Sequence, residues 1–108
     1  MTREPRVRIL KTSDVMRVIA FIPPGHRHTR VLIELRTGER LILQQATVDG
    51  IIRAYASVAL HPSRKACELI LRHLSSAERK EGFAKWQLIE SERNEDDVMR
   101  EITEIYGE

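Results

Sequence analysis

Two imidazoles and two guanidiniums fall within five residues of this sequence, at His26, Arg27, His28 and Arg30, directly after Pro23-Pro24 and Gly25. Guanidinium forks suit phosphate or carboxylate, and a protonated imidazole adds to the same attraction. Arg6, Arg8, Arg36 and Arg40, on neighbouring expected strands, would extend the cluster into a basic face. Such a face grips a nucleic-acid backbone and carries little sequence information. The chain holds five aromatic residues and none lies in the loop, so stacking on single-stranded bases has no support. The composition of residues 25–30 also suits a solvated polar turn. A second anion-binding candidate is Arg64-Lys65, following His61-Pro62-Ser63 at an expected helix start, where free backbone N–H groups favour negative charge. Ordinary helix boundaries have the same composition.

Other chemistry is poorly provided for. His26 and His28 supply two ligands of the four that tetrahedral zinc needs, and His61 and His73 lie far along the chain, so no metal site is expected. The lone Cys67 falls on the apolar side of an expected helix, a packing position rather than a nucleophile's. Phosphate-loop, Rossmann and HExxH patterns are absent, and no spacing ties Ser, His and acid residues into a triad. The expectation is a protein that is not an enzyme and holds no cofactor.

The elements that must position these residues change period once, near residue 46. Before it the pattern is extended. Val7 and Ile9 alternate with Arg6 and Arg8. Residues 15–22 form a nearly continuous apolar run, as in a strand covered on both faces, and Pro23-Pro24 ends it. Residues 31–43 form a hairpin. A two-residue turn at Thr37-Gly38 would mix polar and apolar residues on both faces. A three-residue turn, Arg36-Thr37-Gly38, instead pairs Leu35 with Glu39, Ile33 with Leu41 and Val31 with Leu43, and puts Gly38 at the left-handed position of a bulge.

Beyond Gln45 the period is helical. Val48, Ile51, Ile52, Tyr55, Val58 and Ala59 form an apolar stripe, with Thr47 as its cap. Ala66, Cys67, Ile70, Leu71 and Leu74 suggest a second helix after Pro62, and Ser75–Glu78 a capping box for a short third one ending at Gly82. Residues 83–90 fit either a strand or a continued helix, and an interior glycine costing about 1 kcal/mol favours the strand. Asn94 caps a last helix with Val98, Met99, Ile102, Ile105 and Tyr106 on one face. The expected class is α+β: a small, mainly antiparallel sheet of four short strands, with a fifth if 83–90 is extended, covered by three or four helices.

Composition sets the outer bounds. Its 108 residues, 42% apolar and 31% charged, fit a single domain, 1–108. No apolar run reaches the ~20 residues of a membrane helix, and the N-terminus has no signal-peptide pattern. One cysteine allows no internal disulfide, which suits a reducing cytoplasm. The formal +2 conceals an asymmetry. Residues 1–80 hold fifteen basic and seven acidic side chains, while 81–108 hold three and nine.

Two functional expectations follow. One is a small noncatalytic accessory protein that contacts nucleic acid, or a nucleoprotein machine, through the basic face and counterion release. The alternative is a self-associating protein-interaction module, meeting a second copy or a protein partner through its acidic C-terminal helix or a sheet edge.

Overall fold

The structure, a computed structural model, describes residues 7–78, 80 and 84–106. After a 3-10 turn at Thr12–Asp14 come strands β1 (Val15–Phe21), β2 (Arg30–Leu35) and β3 (Arg40–Gln44), helix α1 (Gln45–Ala59), strands β4 (Leu69–His73) and β5 (Trp86–Glu90), and helix α2 (Glu95–Tyr106). β1, β2 and β3 form one antiparallel sheet in that order; β4 and β5 form a separate antiparallel pair. This corrects the expected layout. The class is α+β, but among the described residues there are two sheets and two helices rather than one four-stranded sheet under three or four helices.

The hairpin follows from side-chain alternation. Ile33 pairs with Leu41 and Val31 with Leu43. Leu35 N–H donates to the Glu39 carbonyl at 2.9 Å, and Gly38 has φ +95°. This is the three-residue bulged turn that collects apolar residues on one face. Leu35, on that face, is 2% exposed.

The remaining departures have local causes. Val7 and Ile9 lie outside any strand, because alternation makes a strand only where a neighbour supplies ladder hydrogen bonds. β1 is an edge strand, not one covered on both faces, and its Met16 and Val18 are exposed. α1 starts at Gln45, so Thr47 sits inside the helix rather than capping it.

The expected helix after Pro62 is extended chain leading into β4, and Cys67 lies in that stretch, half-buried. Short apolar runs fit either period. Here the strand wins through cross-strand pairs with β5: Ile70 with Ile89, Leu71 with Leu88, and His73 edge-on to Trp86 with ring centroids 5.0 Å apart. The capping-box residues do bond, Ser75 N–H to Glu78 Oε1 at 3.1 Å, but as a single turn. The expected end at Gly82 lies outside the described residues.

α2 begins as its sequence dictates. Asn94 Oδ1 accepts from Asp96 N–H at 2.7 Å, and Glu95, Asp96 and Asp97 occupy the first turn, where the helix dipole favours acids. Its anchorage is within the chain. Val98 is buried, Glu95 Oε1 accepts from Lys65 N–H at 2.8 Å, and Arg93 bridges Glu68 at 3.0 Å and Glu101 at 2.7 Å. Between the basic body and the acidic tail, Arg64 pairs with Glu90.

Candidate functional site

Helix α1 links the two sheets, and the residues of its inner face explain how. Gly50 is buried; a Cβ there would lie 2.8 Å from Leu88 Cδ1 and 3.7 Å from Leu69 Cδ1. Ala54 and Ser57, one and two turns on, are half-buried, and Arg53 Nη2 donates to the Leu88 carbonyl at 3.0 Å. The helix therefore approaches β4–β5 through a glycine and small side chains, which permit close backbone approach. Its large apolar residues lie on the other side. At 100° per residue, Val48, Ile51, Ile52, Tyr55 and Ala59 cluster about 150° around the helix from Gly50. Ile51 is 54%, Ile52 57% and Tyr55 72% exposed. No charged residue interrupts this face. It is the surface that sequence reasoning missed as a contact site, because an amphipathic stripe looks the same whether it covers its own sheet or something else.

The exposure is not confined to α1. Among the described residues the buried hydrophobics are Leu35, Leu74 and Val98. Accessible area is 9425 Å², where a compact chain of this mass exposes about 6,200 Å². The radius of gyration is 16.6 Å, against about 13 Å for a compact domain of this length.

The basic residues are spread over three places. Arg30 begins β2 and Arg36 follows its end, about 20 Å away along the strand. At the first end, the loop is pinned by His26 N–H to the Pro23 carbonyl at 3.0 Å and Thr29 N–H to Gln45 Oε1 at 2.8 Å. Arg30 turns its guanidinium to the His28 and Thr29 carbonyls. His26, Arg27 and His28 are exposed. His28 and Arg30 line an open cavity of about 480 Å³ with Gln45 and Asp49. At the other end, Arg36 donates to the Ser13 carbonyl at 3.3 Å, and Arg8 lies 3.8 Å from Glu39. Arg40 pairs with Glu34. In the third place, Arg64 is paired with Glu90 and donates to the Ala66 carbonyl, while Lys65 contributes its backbone N–H to Glu95. Arg6 lies outside the described residues.

Glu34 is the electrostatic centre of the first sheet. It sits on β2 directly between Arg17 on β1 and Arg40 on β3, and bonds both. The Arg17 hydrogen bond, with that of Arg40, holds its carboxyl below the ordinary 4.5, against the opposing pull of desolvation. A depressed carboxyl contributes stability that is complete above its unfolded value and disappears as pH falls through the folded one. The stability difference between wild type and Glu34→Gln is therefore expected to be constant near neutrality and to shrink below pH 4.5. Urea titrations at stepped pH measure it. Parallel curves down to about pH 3 would remove the assignment.

Among the described residues, no three His, Cys, Asp or Glu side chains converge as a metal site would require. No helix among them is long and apolar enough to cross a membrane. No protein-family model matches the chain, and the searches of curated proteins and of solved structures give no significant match.

Proposed function

We propose that this chain is a noncatalytic protein-interaction module whose contact surface is the outward apolar face of α1. One observation carries the reading: a helix that docks on its own sheet through Gly50 and small side chains while Ile51, Ile52 and Tyr55 stay more than half exposed. Leaving such side chains more than half in water forgoes a large part of the about 1.5–3 kcal/mol that full burial of each would contribute. A contiguous uncharged patch of this kind marks a contact surface, and tyrosine is enriched among the residues that dominate binding. A photo-reactive phenylalanine analogue placed at Tyr55 in the protein's own cells is expected to give a covalent protein adduct, with far less from the same group at Arg53. Equal labelling at both positions, or none at Tyr55, would sink the reading.

A second reading, contact with a nucleic-acid backbone, is favoured by the exposed His26, Arg27 and His28 on a loop stiffened by Pro23-Pro24. Arg27 is the principal phosphate ligand in this reading, because Arg30 already serves the loop's own carbonyls. Binding is expected to fall steeply with salt, and Arg27→Ala to flatten the log–log salt slope by about one unit. An unchanged slope in a filter-binding titration would place the contact elsewhere.

A further inference from the structure

We infer that α2 is a salt-sensitive strap: Arg93 clasps it to the body through Glu68 and Glu101, and when the clasp loosens the helix lifts and melts while both sheets stay folded.

The apolar stripe of α2 is seated at one end. Val98 is buried and Met99 half-buried, but Ile102 is 45%, Ile105 48% and Tyr106 64% exposed. A crevice of about 400 Å³ is lined by Val98, Met99 and Ile102 on one side and by residues 65–69 on the other. Few buried contacts place a segment at the low end of a protein's local stabilities. A 12-residue helix is marginal in water by itself, so α2 unwinds once off its seat.

Polar bonds hold it down. Arg93 Nη1 lies 3.0 Å from Glu68 Oε2 on the body and 2.7 Å from Glu101 Oε1 on the helix, and Nη2 donates to the Asp97 carbonyl at 3.4 Å. Arg93 is itself fixed from the body side. Ser91 N–H donates to the Glu68 carbonyl at 2.9 Å, and Arg93 N–H to Ser91 Oγ at 3.3 Å. One guanidinium therefore spans the joint about which α2 turns. Glu95 Oε1, accepting from Lys65 N–H, is a second tie at the helix start.

Glu68 makes the clasp matter more than an ordinary surface pair. Its Oε1 is cut off from solvent and has no hydrogen-bond partner among the described residues. A carboxylate with one oxygen desolvated depends on the bond at the other. Losing that partner costs more than the pair itself contributes. Arg93 and Glu101 are exposed, so dissolved ions reach and screen them. The apolar contact at Val98 carries no charge to screen. Salt thus acts on the latch and leaves the seat alone.

Hydrogen exchange on the full chain tests this, with the protection of each amide taken relative to an unstructured peptide of the same sequence in the same buffer. Between about 20 mM and 1 M potassium chloride, protection of the amides of residues 102–106 is expected to fall about three- to tenfold, the size set by two exposed ion pairs. The ladder amides of β2 and of the β4–β5 pair should keep theirs. Arg93→Gln is expected to lower α2 protection at least about tenfold at low salt and to flatten its salt response, and Arg93→Lys to restore part of both. Salt-independent protection in α2 overturns the inference. So does a loss that the sheets share equally, which is global unfolding. An Arg93→Gln chain that keeps the wild-type salt response also overturns it, by placing the latch elsewhere. The wild-type salt series stands whether or not that variant folds.

Discussion

Leu35→Ala is expected to cost about 2–5 kcal/mol, the largest loss from any single aliphatic truncation in this chain. Leu35 is the most buried side chain described, at 2% exposed, and it ends β2 where three elements meet. It lies opposite Val15 of β1, and its backbone closes the hairpin through Glu39 and Gly38. Truncation removes the methyl groups and leaves a cavity that the turn, held by Gly38 at φ +95°, has little freedom to collapse. Denaturant titration measures the loss. A change below about 0.5 kcal/mol, the range of ordinary surface substitutions, would show that Leu35 is not the keystone of the first sheet.

Val98→Asp is expected to cost about 3 kcal/mol or more and to release α2. Val98 is the buried residue of that helix, facing a cavity of about 400 Å³ bounded by Ala66, Cys67, Leu69 and Ile102. The substitution removes apolar burial and puts a carboxylate among Ala66, Cys67, Leu69 and Met99, with Glu68 on the same lining to repel it and Lys65 as the one cation there. The acids already at the helix start, Glu95, Asp96 and Asp97, add repulsion. Ile102→Asp should cost less, because Ile102 is 45% exposed. Hydrogen exchange reads the outcome: amides of α2 should lose protection while those of β2 keep theirs. Protection retained in α2 would show that the ion pairs of Arg93, rather than Val98, hold the helix.

Local signals in the sequence carried the local structure. The register of β2 with β3 followed from which pairing gathers apolar residues on one face, and the position of Gly38 followed from the bulge that register needs. The cap at Asn94 and the acids after it located α2. The segment at 83–90 fitted either a strand or a continued helix, with glycine's cost inside a helix favouring the strand, and β5 occupies Trp86–Glu90.

What the sequence did not show was pairing at a distance. Ile70, Leu71 and Leu74 satisfy a helical stripe and a strand equally; β4 exists because β5, which starts seventeen residues after it does, offers Ile89 and Leu88 to it. The same limit applied to function. Ile51, Ile52 and Tyr55 were legible as an apolar face, but the face's direction depends on Gly50 meeting Leu88, which periodicity does not encode. The basic residues were legible as a cluster only while their partners were unknown. Glu34, Glu39 and Glu90 take up Arg40, Arg8 and Arg64 in the fold.

β3 ends at Gln44 and α1 begins at Gln45, with no residue between them. Most strand-to-helix joints have a few loop residues that absorb rotation. Here the helix axis is set by the last strand of the first sheet, and the far side of that helix grips Leu88. The second sheet is held at Gly50 and Arg53, within about 12 Å of that joint along the helix, so the first half of α1 ties β5 to the end of β3. Residues 60–68, without helix or strand, are tied down as well, Arg64 by Glu90 and Lys65 N–H by Glu95.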